Sequence, residues 1–266
     1  MTRRTPAPFG RRSATVEENR AIGAYRLLVV ADPEGPLPRP GQFYMLSTTA
    51  RWGGGADERP YLPRAFSFLR ARGGRLQFLL EDVGPGTRRL AQAGPGETLW
   101  LVGPLGIGFA APGEGRRPLL VGGGIGIVPL AGWQEELGEA TTLLGFRDAA
   151  HAEAAHLFAG AQVATDDGSL GHRGLVTDLV SRELARGDGP AVYACGPPAM
   201  LEAVRALCAA HDAPGQLALE SGMACGFGAC FGCVVPTRSG FIRLCVDGPV
   251  VAAAELETAL IAGTGH

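Results

Sequence analysis

RPLLVGGGIGIVPL, residues Arg117–Leu130, is the stretch that decides the fold. An apolar run ending at Val121 reads as a strand. Gly122, Gly123, Gly124 and Gly126 make a loop, and IVPLAGWQEEL (Ile127–Leu137) reads as a helix. Glycines at such a junction let the backbone approach a pyrophosphate. The helix behind them offers unpaired N–H groups and the positive end of its dipole. A tight strand-to-helix turn without a ligand uses the same residues, and Pro129, three residues past Gly126, departs from the G-x-G-x-x-G fingerprint.

Downstream, the pattern repeats. TTLLGF (Thr141–Phe146), AQVATDDG (Ala161–Gly168) and AVYACG (Ala191–Gly196) read as strands. GLVTDLVSRELA (Gly174–Ala185) and PPAMLEAVRALCAAH (Pro197–His211) read as helices. Strands alternating with helices imply a parallel α/β sheet. Cys195-Gly196-Pro197 falls at the C-terminal end of one strand, the edge where open α/β sheets bind ligands. With the glycine loop, this turn could frame a nicotinamide nucleotide, with Cys195 beside the nicotinamide; a buried apolar cysteine is the alternative. Asp166, Asp167 and Ser169 either bind ribose or close a loop. Arg147 follows the Thr141–Phe146 strand, where it could approach a 2′-phosphate, so NAD and NADP both stay open.

Upstream, Ser13–Ala110 reads as strands and turns. YRLLVVA (Tyr25–Ala31), GQFYMLS (Gly41–Ser47), RAFSFLR (Arg64–Arg70), RLQFLLE (Arg75–Glu81) and ETLWLVG (Glu97–Gly103) are short, apolar and bounded by Gly or Pro. That spacing suggests a small antiparallel barrel. A short helix, GTRRLAQA, is expected to open at Gly86. In RAFS, Arg64 and Phe66 share one face and Ser67 takes the other. An arginine can hold a phosphate and an aromatic can flank a flat ring. GPGT (Gly84–Thr87) adds amides and a hydroxyl at a helix start.

CGFGACFGC (Cys225–Cys233) and Cys245 give the spacing C-x4-C-x2-C-x11-C. It matches the plant-type [2Fe–2S] pattern, and soft anionic thiolates suit iron–sulfur clusters. Gly226, Gly228 and Gly232 let the loop wrap a cluster and aim amides at its sulfurs. Zinc is the rival, but it usually takes paired C-x2-C knuckles. MTRRTPAPFGRRS at the N-terminus lacks the apolar core of about 7–15 residues that a secretory signal carries. No apolar run of about 18 residues spans a membrane. A cytoplasmic location is expected, which argues against disulfides. Net charge is −2, from 24 basic and 26 acidic residues, which speaks against nucleic-acid binding.

Together these motifs resemble the ferredoxin–NADP reductase superfamily. RAFS looks like its flavin strand, GGGIGIVPL like its nucleotide loop and CGP like its second nucleotide turn. The C-terminal ESGMACGFGACFGCVV with RLCVDGPV, and also ATDDGSLGHRGLVTDLV, resemble electron-transfer subunits of class 1B dihydroorotate dehydrogenases. The similarity runs from about Ser13 to Val250, with Arg51–Glu58 as a glycine-rich insertion. The resemblance implies an antiparallel FAD-binding β-barrel (1–110), a doubly wound parallel α/β NAD-binding domain (111–215) and a small [2Fe–2S] loop module with a tail (216–266). It places FAD on Arg64, Ala65, Phe66, Ser67, Leu80, Glu81, Gly86 and Thr87. NAD(H) falls on Gly122, Gly123, Gly124, Gly126, Pro129, Cys195, Gly196 and Pro197, and iron on Cys225, Cys230, Cys233 and Cys245. No side chain is expected to act as a general acid or base. The implied partner is an FMN-containing dihydroorotate dehydrogenase catalytic subunit, in a heterotetramer of two of each, serving pyrimidine biosynthesis. The alternative is the NAD(P)H-oxidising subunit of a ferredoxin:NADP oxidoreductase or sulfhydrogenase-type complex. Val251–His266 reads as a short Ala-rich helix with a flexible end, and Cys208 as a core residue.

Overall fold

The computed structural model describes residues 3–50, 52–53 and 60–261. Most of the glycine-rich insertion lies outside these residues. The first unit is a seven-stranded antiparallel sheet. Its strands are β1 (Arg12–Ile22), β2 (Tyr25–Ala31), β3 (Phe43–Thr48), β4 (Arg64–Ser67), β5 (Arg70–Arg72), β6 (Arg75–Leu80) and β7 (Thr98–Leu105), in the order β4-β3-β7-β1-β2-β6-β5. Helix α1 (Pro85–Ala91) follows β6. The inner face is apolar, with Leu28, Tyr44, Leu46, Phe78 and Leu99 at most 0% exposed. Tyr44 meets Phe68 and Phe78 edge-on, at 6.3 and 5.7 Å between ring centres. Such pairs add about 0.5–1.5 kcal/mol beyond the area they bury.

The second unit is a seven-stranded, mostly parallel sheet. In chain order it contains β8 (Pro118–Gly123), α2 (Val128–Leu137), β9 (Thr141–Phe146), α3 (Ala149–Ala152), β10 (Gln162–Thr165), β11 (His172–Arg173), α4 (Val176–Leu184), β12 (Ala191–Cys195), α5 (Pro198–Ala210) and β13 (Gly215–Ala218). A cysteine-rich excursion then holds the hairpin β14 (Val234–Thr237) and β15 (Gly240–Arg243), and α6 (Leu244–Asp247). β16 (Val250–Ala252) returns to pair antiparallel with β13. The strand order is β11-β10-β9-β8-β12-β13-β16. The order in which the chain adds strands therefore reverses between the parallel β8 and β12, and Gly122 pairs with Cys195 across that switch. The carboxyl ends of these strands are where such sheets open a binding crevice.

The units share an interface. Phe109, just after the barrel, stacks on Trp133 at 5.8 Å and meets Tyr193 edge-on at 5.7 Å. The Tyr193 hydroxyl donates to the Ala110 carbonyl at 2.9 Å. Arg70 reaches from the barrel to Glu135 at 2.6 Å and to the Leu157 carbonyl at 2.6 Å. The cysteine-rich segment fills a seam between the units. Cys233, Val235, Leu244 and Cys245 share one apolar core with Phe43, Met45 and Leu105 of the barrel and Leu217 of the second sheet. No helix of the described residues is long and apolar enough to cross a membrane.

Four expectations change. The 11-residue β1 has no counterpart among the strands expected from sequence. Only Ala14, Val16 and Ile22 point inward, and a register shift between Val16 and Glu18 breaks the alternation that marks a strand. RAFSFLR is not one strand. Phe68 and Leu69 are both buried, which no flat strand with one apolar face allows, and they carry the chain from β4 at one sheet edge to β5 at the other. The helix expected at Gly86 starts one residue earlier, with Pro85 in its first turn, where a missing N–H costs nothing. Among the described residues the Ala-rich tail is no α-helix: Val250–Ala252 is a strand and Ala253–Glu255 a single 3-10 turn.

Candidate functional site

The structure opens two neighbouring cavities and a cysteine loop. The first cavity, of about 410 Å³, lies between β4, α1 and the glycine loop. That size is within the range of small-molecule sites. Arg64, Ala65, Phe66 and Ser67 line one side of it, and Glu81 and Thr87 another. Arg64 lies across the start of α1 because Gly86 has no side chain: a Cβ there would come within 2.5 Å of Arg64 Nε. Its guanidinium donates to the Leu62 carbonyl at 2.7 Å and sits 6.0 Å from the Trp52 ring. The Thr87 hydroxyl is already engaged. It accepts from the amides of Val83 and Gly84, at 3.0 Å each, and shapes the turn that precedes α1.

Apolar walls from Phe43, Leu79 and Val128, a guanidinium at one end and hydroxyls at the edge suit a flat heteroaromatic ring carrying a pyrophosphate. FAD therefore fits. Leu80 does not line this cleft: it is fully buried in the barrel core, while Leu79 faces the cleft. Gly126 and Pro129, assigned from sequence to the nucleotide, line it too. Sequence reasoning missed Glu220, Ser221 and Met223, which close the far wall. Their sequence signal is their place at the head of ESGMACGFGACFGCVV, just ahead of Cys225.

The second cavity, of about 400 Å³, sits at the carboxyl edge of the second sheet. Gly123, Gly124 and Pro197 line it, as expected, joined by Phe146, Thr177 and Met200. A Cβ on Gly123 would meet Met200 Sδ at 2.5 Å and Pro197 Cδ at 3.0 Å, so the thioether would have to shift. Gly122, Cys195 and Gly196 lie beneath the cavity, and burial, helped by the Glu220 carboxylate, keeps the Cys195 thiol protonated. Gly126 sits directly on that second turn: its Cβ would be 2.5 Å from the Gly196 Cα. The two turns predicted from sequence are thus in backbone contact. Asp166 lines the cavity. Asp167 instead closes the loop, accepting from the Ser169 amide at 2.9 Å and hydroxyl at 2.6 Å. A bare glycine edge beside a carboxylate suits a dinucleotide, with its pyrophosphate on the loop and its ribose by the acid. Arg147 and Glu81 also line this cavity, and Glu81 borders both.

The four cysteines fall into two pairs. Cys233 Sγ and Cys245 Sγ are 3.2 Å apart and buried. Cys225 and Cys230 interact on the more open side. Among the described residues no three His, Cys, Asp or Glu side chains already form a metal shell. Burial works against the Cys225 thiolate, yet the amides of Cys230, Phe227 and Ala229 prevail and bring its pKa to about 6. Cys245 is pushed up to about 12 by burial and by the sulfurs of Cys233 and Cys225. A centre that replaces the proton removes that conflict, because metal ligands bind as thiolates. The loop keeps an unusual shape: Phe231 has φ 58, and Gly226, at φ 80, would bring a Cβ within 2.5 Å of Met45 Cγ. Non-glycine residues at positive φ concentrate at functional sites. Two sulfur pairs with converging amides fit a [2Fe–2S] cluster.

A flavin cleft and a dinucleotide cavity on a barrel-plus-α/β framework, joined to a cysteine loop, define an iron–sulfur flavoprotein of the ferredoxin reductase class. In the structure of an NADH-dependent reduced ferredoxin-NADP oxidoreductase, the matching chain has TM-score 0.78 at 25% identity, with 94% of this chain and 92% of that one covered. A ferredoxin NADP+ reductase from Neisseria gonorrhoeae, with bound FAD and NADP, shares the fold at TM-score 0.59 and 17% identity, covering 76% of this chain and 91% of that one. The family model described as the iron–sulfur cluster binding domain of dihydroorotate dehydrogenase B matches residues 220–257. The dihydroorotate dehydrogenase B (NAD(+)) electron transfer subunit of Bacillus caldolyticus is 37% identical over 263 residues, covering 93% of this chain and 99% of the relative. Its counterpart from Caldanaerobacter subterraneus subsp. tengcongensis is 35% identical over 251 residues, covering 91% and 97%. The chain belongs to the family of dihydroorotate dehydrogenase B (NAD(+)) electron transfer subunits.

Proposed function

We propose that this chain moves electrons from the FMN-containing catalytic subunit of a dihydroorotate dehydrogenase to NAD+, as an oxidoreductase subunit in cytoplasmic pyrimidine biosynthesis. The observation that carries the reading is the adjacency of cleft and cysteine loop. Met223 lines the flavin cleft, and Cys225 begins the cysteine loop two residues later. Two residues of extended chain span at most about 7 Å. Bound together, a [2Fe–2S] cluster supplies one-electron transfer and FAD joins it to two-electron hydride exchange with a nicotinamide.

Each unit has one task in this reading. The barrel (1–110) holds FAD, with Arg64 and the start of α1 at its pyrophosphate and Ala65–Ser67 and Glu81 along its rings. The α/β unit (111–215) holds NAD(H) on Gly123, Gly124 and Pro197, with Gly122, Cys195 and Gly196 beneath them and Gly126 and Pro129 turned to the flavin. The module (216–266) would hold the cluster on Cys225, Cys230, Cys233 and Cys245. Buried, protonated Cys195 keeps the floor beneath the nicotinamide end compact and uncharged. No side chain of this chain acts as a general acid or base on dihydroorotate, whose chemistry stays with the partner. The assembly is two copies of each subunit.

The test is co-purification with the catalytic subunit encoded by the same cell, followed by dihydroorotate-dependent NAD+ reduction. NADH formation that requires both subunits is the expected result. A complex that reduces NAD(P)+ from ferredoxin but not from dihydroorotate would overturn the reading in favour of the ferredoxin-type alternative.

A further inference from the structure

The dinucleotide cavity has one guanidinium among its described lining residues, that of Arg147, held by two carboxylates and by the His151 ring, whose Nδ1 lies 3.3 Å from Arg147 Nε and Nε2 2.5 Å from Nη2. Arg147 Nη2 lies 3.1 Å from Glu81 Oε1, and Nε lies 3.7 Å from Asp148 Oδ2. Asp148 is itself fixed, accepting from the His151 amide at 3.0 Å and contacting His151 Nδ1 at 2.7 Å. Hydrogen bonding from His151 holds the Asp148 carboxyl below the usual range, so it is ionised at neutral pH. Glu81 comes from the barrel, immediately after β6, and borders both cavities. Asp166 adds a further carboxylate to the lining.

In folds of this kind an acidic residue at a strand end favours the ribose 2′-hydroxyl of NAD, and a nearby arginine accommodates the 2′-phosphate of NADP. Arg147, read from sequence, leaves both nucleotides open. Its partners tip the choice toward NAD. A 2′-phosphate, carrying a charge of about −1.5 to −2, would have to displace Glu81 or Asp148 and stand beside the carboxylate it displaced. A 2′-hydroxyl needs neither.

We propose that Glu81, a residue of the flavin barrel, makes the dinucleotide cavity selective for NAD(H) over NADP(H) by pairing with Arg147 together with Asp148. Glu81 is a positioning residue in this role, acting through Arg147. The proposal rests on the reading of this cavity as the dinucleotide site.

The experiment measures NAD+ and NADP+ dissociation constants by titration calorimetry on the full-length flavin-loaded chain. Wild type binds NAD+ more tightly. Glu81→Gln and, independently, Asp148→Asn shift the NADP+:NAD+ affinity ratio toward NADP+ by a few-fold, the modest change that solvent-exposed ion pairs allow. Adding Arg147→Gln to either variant abolishes the shift, because the freed guanidinium is the group that takes the phosphate. A merely structural role for Glu81 would weaken both nucleotides alike and leave the ratio unmoved. Asp148 lies outside the flavin cleft, so its variant remains decisive if Glu81→Gln loses flavin. An unchanged ratio in Asp148→Asn and in flavin-loaded Glu81→Gln overturns the proposal. Gly123→Leu tests the underlying reading, since its side chain enters the space of Met200. It should abolish binding of both nucleotides. Wild-type NAD+ binding by Gly123→Leu would overturn the dinucleotide site itself.

Discussion

Gly126→Ala is a single methyl group placed where two backbones touch. The added Cβ would lie 2.5 Å from the Gly196 Cα and 2.6 Å from the carbonyl carbon and oxygen of Cys195. All three are main-chain atoms, so no side chain can swing away. Gly126 has an ordinary backbone conformation, and the cost is purely steric. Overpacking of this kind costs typically about 1–3 kcal/mol, and a rigid backbone obstacle puts this site near the upper end. At about 2–4 °C per kcal/mol for chains of 150–250 residues, the melting temperature falls by roughly 6–12 °C. Parting the two turns also moves the floor between the flavin cleft and the dinucleotide cavity, so NAD+ affinity falls with stability. Gly124→Ala is the control for stability alone, because Gly124 lines the dinucleotide cavity. Gly124 has φ +55 but nothing within 4 Å of its Cβ position, so it pays only the left-handed strain of about 1–2 kcal/mol. Thermal melts of both variants and an NAD+ titration of Gly126→Ala decide the matter. A Gly126→Ala protein with wild-type melting temperature and NAD+ affinity refutes the backbone contact and the argument built on it.

Asp32→Asn should destabilise the barrel by about 3 kcal/mol, because it leaves the mostly buried Arg12 guanidinium without its carboxylate; an unchanged denaturation midpoint would show that the pair adds nothing net. Glu202 accepts from Arg205 and from the Ala259 amide, which bring its carboxyl from 4.5 down to about 2. The ionised form is therefore favoured by folding, and its contribution is present above pH 4.5 and lost as pH falls toward about 2. Glu202→Gln should flatten the stability profile in that window and speed hydrogen exchange at Ala259; a profile matching wild type would contradict the linkage. Cys245→Ser should lose the iron while keeping FAD, read as metal content and visible spectrum; wild-type iron content would remove Cys245 from the ligand set.

The parallel sheet was legible because its strands are short apolar runs bounded by glycine, and its loops punctuate every crossover. The glycine loop, the Cys195–Pro197 turn and the cysteine spacing are local in sequence, so their chemistry could be read directly. Other features depend on distant partners. The polar run Glu17–Arg20 hid β1, whose inward residues are few and whose alternation is broken at a bulge. Leu80 and Leu79 differ by one position, and strand parity decides which faces the flavin cleft. Glu220–Met223 close that cleft only because the cysteine segment folds back into the seam between the two units. The pairing of Arg147 with Glu81 joins residues 66 apart in sequence, and no local pattern announces it.

The central claim is that one chain couples a nicotinamide to an iron–sulfur centre through a flavin. Its most direct test is anaerobic addition of NADH to the purified chain after its flavin and metal content have been determined. The account predicts one FAD and a single [2Fe–2S] cluster per chain, with NADH bleaching the flavin absorption band. A colourless zinc protein, or a bound flavin that NADH leaves oxidised, would contradict it.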